Sequence, residues 1–365
     1  MGSSAAYHLA RRGVKVLGID RHSPPHVYGS THGKTRIIRE AYFEHPSYVP
    51  LVQRAYELWN ELEAASGRRL FRQTGGLMVG PPDGMLVAGA RSSAIRHSLA
   101  YEELSADEVR SRFPVFDPED GMVALLEPRA GILFPELCVE ANLELARSLG
   151  ATLNIRERIT SWRAADGFVH VTTDRGSYDA AHLVLTAGPW MNELLGFALP
   201  LTVERQLFHW FEPSDRAWLF QPDRCPIALW EYRAGSIFAT FPDLGDGVKA
   251  GIHHGGEVTT PDDVRREVLS DDDDAMRAQM RRFVPEASDR ILDSRVCLYT
   301  NTPDHHFVID THPEHPEVVM ASPCSGHGFK FSSAIGEVLA DLVTKGASAM
   351  DLRLFEARRF SSQGN

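Results

Sequence analysis

Cysteine is scarce: Cys138, Cys225, Cys297 and Cys324 are the only four in 365 residues and form no CxxC pair. That spacing excludes a zinc knuckle and a disulfide framework, so no metal site is expected. Positive charge is also in short supply. A formal net charge of −11 offers no basic field to a phosphate backbone, and nucleic acid is not an expected partner. No apolar run reaches bilayer-spanning length, and the first residues lack the charged, apolar and small-residue order of a secretion signal. The expectation is a cytoplasmic protein with no membrane partner. Repeats and low-complexity segments are missing too. What remains is the composition of a globular protein, 43% hydrophobic and 24% charged, long enough for one large or two interleaved domains.

The chain opens inside a motif, "MGSSAAYHLARRGVKVLGID". Ala5, Ala6, Leu9 and Ala10 recur at helical spacing, Arg11 and Arg12 fall in a last turn, and Gly13 is a stop. Val14, Val16, Leu17 and Ile19 then make a short apolar strand ending at Asp20. This is the helix, second strand and acidic end of a dinucleotide-binding βαβ unit. Gly2 is the last glycine of GxGxxG, and Asp20 is placed for a ribose hydroxyl. The first strand and the first two glycines do not precede it. Because that strand is central in a doubly wound sheet, the chain as given is expected to hold a dinucleotide poorly unless upstream residues supply it.

Residues 47–64 place Leu51, Val52, Ala55, Leu58, Trp59 and Leu62 on one helical stripe. A second helix over 135–150 leads into "ATLNI". Two strands then meet at a tight turn of Asp174, Arg175 and Gly176, and a buried strand runs into Thr186, Ala187 and Gly188. Between these pieces, residues 66–134 and 200–294 are rich in Pro, Gly, aromatics and short alternating runs, as in "SIFATF" and "GVKAGIHH". They read as a second, largely antiparallel layer inserted into an α/β domain, with a ligand cleft between the two. "SDDDDAMRAQMRRF" at 270–283 reads as a solvated helix start, with Ser270 and four aspartates in its first turn and arginines after them, the charge order a helix dipole favours.

Four stretches carry candidate chemistry. In "GSTHGKTRIIREAY" at 29–42, Arg36 and Arg39 stand three apart after a glycine-rich loop. One guanidinium can grip a carboxylate while the other sets positive potential beside an electron-accepting ring. In "GVKAGIHHGG", Lys249 sits between Val248 and Ala250 as a partly buried ammonium. His253 and His254, as strand neighbours, point to opposite faces and make no metal site. Cys297 in "RVCLYTNTPDHHFVID" reads by itself as a buried small hydrophobe. "SPCSGHGFKFSSAIGEVLADL" is a strand, a glycine turn with Gly326 and Gly328, and a helix with Lys330 at its mouth. Backbone N–H groups there can stabilise negative charge, although a packed turn needing glycine only for its conformation is the plainer alternative.

In these stretches the chain resembles the monomeric sarcosine oxidase and N-methyltryptophan oxidase family of flavin-dependent amine oxidases, within the D-amino-acid oxidase-like group. The most specific pieces are "STHGKTRIIREAY", "DTHPEHPEVVM" and "SGHGFKFSS". The resemblance implies an α/β fold in which a Rossmann-like FAD-binding domain (1–65, 135–199 and 295–365) interleaves with a largely antiparallel substrate domain (66–134 and 200–294). FAD is the implied cofactor, covalently attached through Cys297 and also held by Gly2, Asp20, Arg21, Thr35, Gly188, Gly326 and Gly328. Arg39, Lys330 and Tyr299 are implied to bind substrate, and Lys249, Arg36 and His253 to be catalytic, with Lys249 assisting the reaction with O2. The implied reaction is oxidative demethylation of an N-methyl amino acid by a monomer, yielding formaldehyde, a primary amino acid and hydrogen peroxide. Two features qualify the substrate. The sarcosine branch carries a tyrosine where Phe238 falls, and "GIHHGGEV" looks more like the N-methyltryptophan branch. The alternatives are an oxidase of another secondary or cyclic amino acid, and a truncated, non-catalytic relative unable to bind FAD.

Overall fold

The computed structural model describes residues 1–322 and 325–360; Pro323 and Cys324 of the last stretch, and residues 361–365, lie outside the described residues. The opening helix runs Gly2–Arg11 and ends before Gly13, which takes a left-handed φ of +76°. Its small side chains let it pack closely between the helices Pro135–Ser148 and Ser332–Lys345. Tyr48–Ser66 closes the same core, and all six residues of its expected stripe are buried.

Leu17–Asp20 pairs in parallel with Thr152–Ile155 as a two-stranded ladder. Leu183–Leu185 pairs in parallel with Val318–Ser322, which also takes Val308–Thr311 antiparallel. These two parallel ladders are separate sheets among the described residues. Residues of Leu17–Asp20 and of Leu183–Leu185 both line one continuous cavity of about 1270 Å³.

The second layer is a nine-stranded sheet. Its middle is formed by Thr202–Phe211, Val248–His253, Ser236–Phe241 and Ile227–Arg233, all antiparallel neighbours. Ile227–Arg233 then continues in parallel with Gly76–Gly80. Ile291–Asn301, which carries Cys297, runs antiparallel along Thr202–Phe211 and so belongs to this sheet.

Three expectations change. Residues 66–134 also hold the helices Met85–Arg96 and Ala106–Arg112. The second begins with a capping box of Ser105 and Glu108, a signal present in the sequence and passed over. The helix Ser270–Phe283 begins where expected, with Ser270 as its first residue. Its acidic start is not simply solvated, however: Asp272 takes two hydrogen bonds from the buried Arg205 guanidinium, each 2.9 Å. Finally, His253 and His254 do not point apart. The strand ends at His253, His254 turns left-handed at φ +64°, and the two ring centroids lie 4.1 Å apart.

Candidate active site

The loop before Arg36 is shaped by a carboxylate from the neighbouring helix. Glu136, at the start of Pro135–Ser148, accepts from the backbone N–H of Gly33 (2.8 Å) and Lys34 (3.0 Å), both at positive φ. The loop carbonyls are thereby turned toward Lys249. Lys249 is 2% exposed, and its Nζ donates to Gly33 O (2.6 Å), Thr35 O (2.9 Å) and Thr35 Oγ1 (3.0 Å). The rings of Phe208 and Phe241 lie 4.1 and 4.8 Å from the same nitrogen. Burial, followed by repulsion from Arg36, pushes the Lys249 pKa well below the ordinary lysine range.

Arg36 donates to Thr35 O and Ser30 O, both 2.8 Å, and lies 4.7 Å above the Phe208 ring. Its Nη2 is 3.7 Å from Cys297 Sγ. Burial raises the Cys297 thiol pKa, and the Arg36 charge opposes that rise.

Arg39 follows the short strand Arg36–Ile38, and its guanidinium is 2% exposed. It donates to Ala41 O (2.8 Å) and to Glu44 Oε2 (2.7 Å) and lies over the rings of Tyr42 and Phe43. Burial by itself would raise the Glu44 carboxyl, but the positive charges of Arg39 and Lys330 hold it below the usual carboxylate range. Behind the arginine, Glu127 accepts from the backbone N–H of Glu40 and Ala41, each at 2.7 Å. Burial pushes that carboxyl up to about 7.

Lys330 sits in the short 3-10 turn Phe329–Phe331, which Trp59 Nε1 pins by donating 2.9 Å to the Lys330 carbonyl. Its Nζ donates to His327 O (2.8 Å) and to Tyr42 OH (3.4 Å). His327, whose pKa burial lowers to about 3, is neutral. Its Nε2 lies 3.0 Å from His305 O, a pure acceptor, so the proton is on Nε2 and Nδ1 accepts from Tyr42 OH at 2.5 Å. The hydroxyl proton therefore points away from Lys330, and the phenol oxygen is free to accept from the ammonium. Burial, then the charge of Arg39, lowers the Lys330 pKa to about 7.

His253 Nδ1 and Tyr299 OH are 3.2 Å apart. Burial, then neighbouring His254, keeps His253 well below its usual pKa and therefore neutral. The turn at Gly326 lies directly on these rings: a Cβ there would fall 2.3 Å from Tyr299 Cε2 and 2.6 Å from His253 Cε1, at φ +76°. Only glycine fits.

Gly2, Asp20, Arg21, Arg36, Arg39, Gly188, His253, Tyr299, Gly326, Gly328 and Lys330 all line the one cavity. Thr35, Lys249 and Cys297 sit against that lining, touching Arg36 or one another. Asp20 Oδ1 accepts from His22 N at 2.7 Å, and Arg21 lies 4.7 Å over the Trp190 ring that follows Gly188. Phe238 is the exception among the residues weighed for substrate. It is fully buried in the core against Trp230 and Phe283, because strand alternation turns it to the other face of the sheet. It therefore does not line the cavity, which its strand neighbours Ile237 and Ala239 face. Glu44, Glu127, Phe208, Tyr42 and His327 were not singled out from the sequence. Tyr42 and His327 stood inside quoted stretches, whereas Glu44 and Glu127 had no signal beyond being acidic.

A dinucleotide fits these residues. The Gly2–Arg11 helix starts at the cavity with no side-chain cap, leaving its N–H groups for phosphate. A Cβ on Gly2 would stand 2.7 Å from Thr186 Oγ1. Along the next loop, buried Ser30 Oγ and both ring nitrogens of His32 have no partner in the protein. Among the described residues there is no group of three His, Cys, Asp or Glu able to hold a metal.

The α/β fold, the dinucleotide-type elements and the cationic cavity define a flavin-dependent oxidoreductase. The chain belongs to the DAO family of FAD dependent oxidoreductases, whose family model matches residues 1–342. It is 42% identical to the monomeric sarcosine oxidase of Streptomyces avermitilis over 99% of this chain and 96% of that protein. It is 35% identical to the N-methyl-L-tryptophan oxidase of Yersinia pestis over 99% of this chain and 96% of that one. The fold matches the crystal structure of L-proline dehydrogenase from P. horikoshii with a TM-score of 0.85 at 21% identity, covering 98% of this chain and 94% of the other.

Proposed function

We propose that this protein oxidises N-methyl amino acids at the N-methyl carbon. The observation that carries this reading is the buried pair Arg39 and Lys330, two cations that both line the cavity and lie 4.4 and 5.2 Å from the same Tyr42 ring, a pair suited to a carboxylate. The names of its relatives, a sarcosine oxidase and an N-methyl-L-tryptophan oxidase, support it.

Arg39 exchanges part of its contact with Glu44 for the substrate carboxylate, and Lys330 donates to the same group. With the carboxylate fixed, the amine nitrogen and its methyl group are held in the cavity toward Arg36 and the loop 29–35. FAD, which Gly2, Asp20, Arg21 and Gly188 along the cavity would hold, would supply the two-electron acceptor for the C–H bond and the route of those electrons, with two protons, to O2 as hydrogen peroxide. The resulting imine takes up water and splits into formaldehyde and the primary amino acid. Neutral His253, hydrogen-bonded to Tyr299, adds no charge beside the amine. Lys249 and Arg36 supply positive potential where negative charge develops. We assign Cys297 as the attachment point, because its sulfur lies 3.7 Å from the Arg36 guanidinium that lines the cavity, whose charge opposes the effect of burial on the thiol. A monomer in the cytoplasm belongs to the same proposal.

The test is oxygen-electrode turnover of sarcosine and larger N-methyl amino acids with peroxide and formaldehyde both measured. Equal amounts of the two products support the reading. Peroxide without formaldehyde points to ring oxidation of a cyclic amino acid instead.

A further inference from the structure

The strand Ser236–Phe241 presents Ile237, Ala239 and Phe241 to the cavity. Ala239 stands opposite Leu229 on one neighbouring strand and Gly251 on the other. The space over Gly251 is already taken, since a Cβ there would lie 3.2 Å from Phe208 Cδ1. Ala239 is therefore the shallow point between two large side chains, Ile237 and Phe241. Leu229, Ile237 and Phe241 pack in one cluster with Phe43, the ring over which the Arg39 guanidinium lies at 4.7 Å. An apolar notch thus adjoins the carboxylate clamp, and none of its side chains carries a hydrogen-bonding group.

We propose that this notch receives the side chain on the substrate's Cα, so that the preferred substrates are N-methyl amino acids with a branched aliphatic or aromatic side chain, and that Ala239 sets the size limit. The inference rests on the N-methyl amino acid reading. A polar side chain would be stripped of water there with nothing to bond to, and sarcosine would leave the notch unfilled. Neither the relatives' names nor the site residues implied by the resemblance point to Ala239. The choice follows from the strand's register.

Two readouts separate this inference from the reading beneath it. In turnover by the holoenzyme, N-methyl-L-leucine should exceed sarcosine and N-methyl-L-aspartate in kcat/KM. Ala239→Leu should lower the N-methyl-leucine to sarcosine ratio by at least about 10- to 200-fold, the discrimination typical of a single methylene in an apolar pocket. Ala239→Val should move the ratio the same way by less, which covers the case in which leucine disturbs folding. In calorimetric binding, 3-methylbutanoate and phenylacetate should bind more tightly than acetate, and Ala239→Leu should erase that order. Ordered carboxylate binding without oxidation of any N-methyl amino acid would keep the notch and remove the oxidase reading. Oxidation with sarcosine preferred, or a ratio unmoved in both variants, would overturn the notch.

Discussion

Replacing Lys330 with methionine isolates one arm of the proposed carboxylate clamp. The side chain is buried, and among the described residues its ammonium donates to His327 O and Tyr42 OH. A substrate carboxylate would add a charge-assisted hydrogen bond worth roughly 1.5–3 kcal/mol, so Lys330→Met should weaken acetate binding about 10- to 150-fold. The same number appears in the pH dependence of the unaltered protein. With its pKa at about 7, Lys330 is an ammonium below pH 7 and loses its proton above it, while Arg39 stays charged. Acetate affinity should be flat below pH 7 and fall about tenfold per pH unit above it, levelling off when the whole Lys330 contribution is gone. Acetate calorimetry from pH 6 to 9 on both proteins is the assay. A flat profile in the unaltered protein, or equal affinity in Lys330→Met, would refute the clamp.

Glu127→Gln removes a buried carboxyl whose pKa rises from 4.5 to about 7 on folding. The folded state binds the extra proton between those values, so this group's contribution to stability declines as pH rises from 4.5 to 7. The decline is on the order of 3 kcal/mol, and urea unfolding of Glu127→Gln should lack it. Cys297→Ser should leave a protein whose flavin is released by acid precipitation, whereas the unaltered protein should retain its colour in the pellet. Lys249→Met should slow the oxygen half-reaction about 100- to 1000-fold, the usual range for losing one electrostatic donor, with anaerobic substrate oxidation less affected. Gly326→Ala should displace Tyr299 and His253 and reduce kcat/KM, because the turn's φ of +76° and the 2.3 Å approach to Tyr299 both exclude a side chain.

Local periodicity made the opening helix, the Tyr48–Ser66 stripe and the hairpin at Asp174–Gly176 legible before the fold was known. The cationic residues were legible for a different reason. Arg36, Arg39, Lys249 and Lys330 stand beside glycines or in apolar contexts where a charge has no structural reason to be. Their partners were not legible. Glu44 reaches Arg39 only because the chain after the strand turns back, and Glu127 meets Glu40 and Ala41 across 86 or more residues of sequence. Strand register was the other blind spot. Phe238 and Ala239 are equally plausible cavity residues in "SIFATF", and only the pairing with Leu229 and Gly251 shows which one faces the site. The left-handed turn at His254, which brings two histidine rings together, likewise follows from φ and leaves no mark in residue type.

The most direct test of the central claim is to mix the flavin-loaded protein with an N-methyl amino acid under nitrogen and record the visible flavin spectrum. The account predicts that the oxidised band is bleached, that formaldehyde appears in equal amount, and that admitting air restores the band with release of hydrogen peroxide. A band that stays oxidised with every N-methyl amino acid tried would contradict it.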